Sequence, residues 1–163
     1  MSRDLSMQAR ASVFVALTHM AVADGRLDPE EVEALRAAAE LLELRDVGLT
    51  DLRGAAVDTG KGPPSLAKLP FEERAIAVAW AAWLACADYR ATMAEEAMLA
   101  RIAVQAGLDP PLAEELAVLA WQIRLLSPEG MTPGEELATL RSSVLELLDE
   151  RVSRSADSSE VVA

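Results

Sequence analysis

Ala21-Val22-Ala23-Asp24-Gly25-Arg26-Leu27-Asp28-Pro29-Glu30-Glu31 is the stretch from which the fold can be read. It joins two helical patterns through an acidic elbow. Sixty-four positions later it has an echo, Ala85-Cys86-Ala87-Asp88-Tyr89-Arg90-Ala91-Thr92-Met93-Ala94-Glu95. Sliding one copy onto the other superposes Asp24 on Asp88, Glu31 on Glu95, Leu35 on Leu99, Ala39 on Ala103 and Leu44 on Leu108 without a gap. Such self-similarity marks an internal duplication of a helix-elbow-helix unit.

Working outward from the first elbow, Gly25 supplies the left-handed residue that closes a helix. Asp28 then serves as N-cap, Pro29 as the first helical residue and Glu31 as capping-box partner. Upstream, over residues 2–23, Leu5, Ala9, Val13, Ala16, Leu17 and Met20 recur at three- and four-residue steps, the mark of an amphipathic helix. Downstream, Val32, Leu35, Ala38, Ala39 and Leu42 carry a second helix to about Leu44, and Thr50 is placed to cap a short third one through Leu52 and Val57. Residues 59–69, with Gly60, Gly62, Pro63 and Pro64, have turn chemistry and no period, and so connect the copies.

The second copy opens at Pro70 with a helix apolar nearly all round, including Ile76, Ala79, Trp80, Trp83, Leu84 and Ala87. A helix of that kind belongs at the centre of a bundle. Thr92 and Glu95 form a further capping box before Met98, Leu99, Ile102 and Ala103, and Asp109-Pro110-Pro111 starts a sixth helix with Leu112, Leu116, Leu119, Ala120, Ile123 and Leu126 on one side. Thr132-Pro133-Gly134-Glu135 begins a seventh, through Leu137, Leu140, Val144, Leu147 and Leu148 to about Arg151. Residues 152–163 are polar, small and aperiodic, and read as a disordered tail. No segment alternates with a two-residue period, so the expectation is an all-α single compact helical domain of about seven helices over residues 1–151. Within it, repeat 1 falls at about 5–58, repeat 2 at about 69–126 and an extra helix at about 132–151.

Composition narrows the function. At 163 residues, 52% of them hydrophobic, the chain has the material for one core. A net charge of -12, with Lys61 and Lys68 as the two lysines and the arginines scattered, argues against nucleic acid and anionic membrane surfaces. The single cysteine, Cys86, lies in an apolar run and reads as a small buried side chain in a reducing compartment. With His19 the sole histidine, a Cys/His nucleophile pair is a weak reading. The N-terminus lacks a secretory pattern, and the longest apolar run, thirteen residues at 75–87, is short of the roughly 20 that span a bilayer, so a cytoplasmic protein is expected.

The elbows carry the chemistry worth testing. Asp24 and Asp88 each end a helix, where the dipole disfavours a carboxylate by about 0.3 to 1 kcal/mol. If the two units pack about a local twofold, Asp24, Glu31, Asp88 and Glu95 converge and repel unless protonated or neutralised by a cation. Oxygen-only ligands suit Ca²⁺, Mg²⁺ or Mn²⁺. Capping alone also accounts for Glu31, Glu95 and Asp28, and leaves Asp24 and Asp88 as polar helix ends. His19 aligns with Trp83 and reads as a core or boundary residue. Trp80, Trp83 and Trp121 fill a core or, less simply, line a groove.

Ala23-Asp24-Gly25, with Glu31 seven residues after the aspartate, resembles the TerB-like family, named for tellurite-resistance protein TerB. Leu69-Pro70 leading to Ala87-Asp88, then Glu95 and Gly107-Leu108, is similar to its second repeat, so the likeness runs over roughly residues 5 to 126. The resemblance implies a pseudo-twofold helical domain whose elbow acids, here Asp24, Glu31, Asp88 and Glu95, form a divalent-metal site. It also implies a place in bacterial tellurite and chemical-stress systems beside membrane-linked partners, and a kinship with domains that accompany J-domain co-chaperones. Tyr89 departs from it, standing where the family usually has glycine; tyrosine disfavours the left-handed turn. Two functions follow as expectations: a non-enzymatic cation-binding stress-response domain, or a metal-free scaffold or co-chaperone-like module that docks a partner protein. An enzyme is weaker, for want of a nucleophile-base pair or a phosphate loop.

Overall fold

A computed structural model describes residues 6–44, 62–87 and 91–160, with side chains to residue 158. The described residues contain six helices and no strand: α1 Met7–Ala21, α2 Pro29–Leu41, α3 Phe71–Ala85, α4 Met93–Gln105, α5 Pro110–Leu126 and α6 Pro133–Glu160. The short helix expected over residues 50–57 lies outside the described residues.

Local chemistry sets the boundaries. α1 and α3 are both 15 residues long, α2 and α4 both 13, and each boundary of the first pair recurs 64 residues on in the second. Ser6 Oγ accepts from Ala9 N at 3.1 Å to cap α1, and Thr92 Oγ1 accepts from Glu95 N at 3.2 Å to cap α4. At α6 the box is complete, with Glu135 N donating to Thr132 Oγ1 at 3.2 Å and Thr132 N to Glu135 Oε2 at 2.8 Å.

The C-terminal ends of α2 and α4 match as well. Leu44 N donates to Ala39 O at 2.9 Å, and Leu108 N to Ala103 O at 3.3 Å. The residue before each is left-handed, Glu43 at φ 55 and Gly107 at φ 65. An arginine from the preceding helix then reaches over: Arg10 Nη1 donates to Leu42 O at 3.5 Å, and Arg74 Nη1 to Ala106 O at 3.0 Å. Arg10 and Arg74 are themselves 64 residues apart. These guanidiniums satisfy carbonyls that a helix end leaves open.

At the centre lies α3, buried continuously from Ala75 to Ala85, with α1, α4, α5 and α6 packed on it. Trp80 and Trp83 are fully buried core residues, and both indoles are satisfied: Trp80 Nε1 donates to Leu137 O at 3.1 Å and Trp83 Nε1 to Glu136 Oε2 at 3.0 Å. The space between them, Leu17, Leu35 and Leu137 is about 10 Å³, so no ligand groove opens there. Trp121, on α5, is half-buried. Cys86 is buried and its thiol contacts Ala82 O at 3.1 Å.

α6 does not stop at Arg151. It runs to Glu160, which corrects the expectation of a disordered tail from Val152. Nothing after Gly134 breaks the helix, and its serines bond back one turn, Ser153 Oγ to Asp149 O at 3.1 Å and Ser158 Oγ to Arg154 O at 3.0 Å, while Arg154 pairs with Glu150 at 3.4 Å. Residues 152–158 are exposed, so their helicity rests on these local bonds rather than on a core.

Candidate functional site

The first elbow is built by its own backbone. Gly25, at φ 82, donates its N–H to Val22 O at 2.9 Å, and Arg26 N donates to Asp24 Oδ1 at 2.9 Å. Asp24 is therefore exposed but held, its carboxylate turned onto the loop. Two turns on, Glu31 Oε2 accepts from Asp28 N at 2.8 Å, which draws the carboxylate back toward the elbow and leaves it 7% exposed.

The second elbow supplies Glu95, only 3% exposed, whose Oε1 accepts from Thr92 Oγ1 at 3.1 Å. The equivalents Glu31 and Glu95 thus share burial and a capping role with different bonding. Asp88 and Tyr89 lie outside the described residues.

Acids of the two elbows meet electrostatically at Glu31. Burial, above all, pushes the Glu31 carboxyl up from 4.5 to about 7; the Asp28 backbone bond opposes this, and the charges of Asp28, Asp24 and Glu95 add to it. Glu95 is 64 residues from Glu31, so acids of both elbows act on one buried carboxyl. No arginine or lysine among the described residues stands within ion-pair distance of Glu31. Equally, no three His, Cys, Asp or Glu among the described residues are grouped so as to hold a metal ion. His19 is buried in the last turn of α1, as its alignment with Trp83 led one to expect.

A second buried polar centre went unread in the sequence. Arg124 on α5 donates to Glu136 Oε2 at 2.9 Å and to Ala87 O at 2.7 Å, and its guanidinium lies 5.5 Å from the centre of the Trp83 ring. It locks α6 to α3 beside the second elbow. Glu136 follows the capping residue Glu135, which took the available explanation. Its helical spacing of four to Leu140 was the signal that it faces inward.

No helix among the described residues is long and apolar enough to cross a membrane. No curated protein and no solved structure matches the chain. A family model described as tellurite resistance protein TerB matches residues 1–54, the segment that contains α1, the first elbow and α2. The likeness to that family lies in the first helix pair.

Proposed function

We propose that this chain is a non-enzymatic TerB-like domain of a bacterial chemical or tellurite stress response, whose two elbows, related by a pseudo-twofold, bind a divalent cation through Asp24, Glu31, Asp88 and Glu95. One observation carries the reading: a buried Glu31 feels the charges of Asp24 from its own elbow and Glu95 from the other. The donor chemistry fits a hard ion, being carboxylate oxygen throughout. Asp24, Glu31 and Glu95 do not make a coordinating group by themselves, so the reading requires a further donor, for which the sequence register offers Asp88. A cation there would supply electrostatic neutralisation and clamp α2 to α4. Calorimetric titration of chelator-stripped protein with Ca²⁺, Mg²⁺ and Mn²⁺ tests it. Saturable binding that disappears in Asp24→Asn/Asp88→Asn, with the fold intact, is the expected result; absence of heat and of thermal stabilisation with all three ions rejects it.

A second reading, a metal-free helical scaffold that docks a protein partner, draws support from the capping bond of Glu31, which needs no ion. Under that reading, neutralising the aspartates alters stability equally with and without cations.

A further inference from the structure

The elbows account for one end of the bundle, and the outer side of α5 is left without a role. Here α5 and α6 border a groove of about 510 Å³ lined by Pro111, Glu114, Glu115, Val118, Leu119 and Leu147. Its apolar stripe continues past the groove: Leu125 and Leu126 lie seven residues beyond Val118 and Leu119, on the same side of the helix. Val118 is 52% exposed, Leu125 60% and Leu126 79%. Scattered surface leucines need no explanation, but a stripe that follows one helix face beside a groove is the form in which helices receive other helices.

We infer that this α5/α6 face docks a basic amphipathic helix of a partner protein. Charge selects the occupant. The groove is rimmed by Glu114 and Glu115, and Asp109 stands at the start of α5; Arg151 of α6 pairs with Glu115 at 2.8 Å and with Asp109 at 3.9 Å, which leaves Glu114 as the rim acid without an ion pair among the described residues. The whole chain carries -12. A second copy of this chain brings the same negative charge to the face, and an anionic membrane is repelled by it. A cationic helix with leucines on one side meets both the stripe and the rim. The inference deepens the scaffold reading and does not depend on whether a cation occupies the elbows.

The probe is a fluorescein-labelled helical peptide of leucine and lysine, about 18 residues long so as to span the stripe, titrated against the full chain by anisotropy at physiological salt. Saturable one-to-one binding is expected, weakened about tenfold or more by Val118→Asp/Leu125→Asp and by Glu114→Lys. Val104→Asp, on α4 and more exposed at 73%, leaves affinity unchanged. Leu125→Ser, which adds no charge, carries the test if the aspartates unfold the helix. A scrambled peptide of identical composition binding as well, affinity unaltered by the α5 variants, no saturable binding, adsorption to phosphatidylserine vesicles, or self-association of the chain through these residues each overturns the proposal. Failure of the cation titration leaves this result untouched, so the two are separable.

Discussion

The two helix-elbow-helix units share their bounds and their arginine lock, yet they are held by different means. In the first, Arg10 sits at 3.5 Å from Leu42 O and pairs with Glu43, which is exposed. Its counterpart Arg74 reaches Ala106 O at 3.0 Å and stacks over Phe71 at 5.4 Å. The difference lies at one residue. Glu43 keeps a side chain at positive φ and gives its carboxylate to Arg10, whereas Gly107 clears the way for Arg74; a Cβ there would stand 3.3 Å from the Arg74 guanidinium. Around them the surroundings diverge further: α2 lies against α6, while α3 is enclosed and has Arg124 on the carbonyl of Ala87. Helix pairs with the same bounds therefore tolerate unequal tertiary support.

That inequality sets the order of expected losses. Arg124→Ala should be the most damaging, by about 3 kcal/mol, because it leaves the buried Glu136 with the Trp83 indole but no counter-charge and opens Ala87 O. Urea denaturation measures it, and a loss below about 1 kcal/mol would show the pair to be dispensable.

The acids of the two regions offer the next contrast, since Glu136 has its arginine and Glu31 has none among the described residues. Glu31 keeps its proton to about pH 7 in the folded chain but ionises near 4.5 when unfolded, so the folded state binds more protons between those values. Stability should accordingly fall as pH rises from about 4.5 to 7, by on the order of 2 kcal/mol. Glu31→Gln keeps an acceptor for Asp28 N, removes the charge and should flatten that slope in denaturation curves taken across the range. An unchanged slope would assign the pH dependence elsewhere.

The smallest effects compare the two arginine locks directly. Arg74→Ala should cost about 1 to 2 kcal/mol and Arg10→Ala about 0.5 kcal/mol or less, the latter bond being long at 3.5 Å. Equal losses would mean that the glycine at position 107 confers no advantage.

Much of this architecture is legible in the chain because it rests on contacts between residues three to five positions apart. The caps at Asp28, Thr92 and Thr132, the left-handed Gly25, the proline starts and the apolar period of α3 are all of that range, and the bounds of α1 and α2 recur 64 residues on in α3 and α4. The same local reasoning failed at residues 152–160, where absence of apolar period was read as disorder although no helix breaker is present. Tertiary structure decided what spacing cannot encode. That Glu31 is buried in reach of Glu95's charge, that Glu136 rather than Glu135 meets Arg124, and that Arg10 and Arg74 span 32 residues to a carbonyl all depend on which faces pack together. A carboxylate's exposure and partners are properties of its surroundings, and those arise when helices distant in the chain close around it.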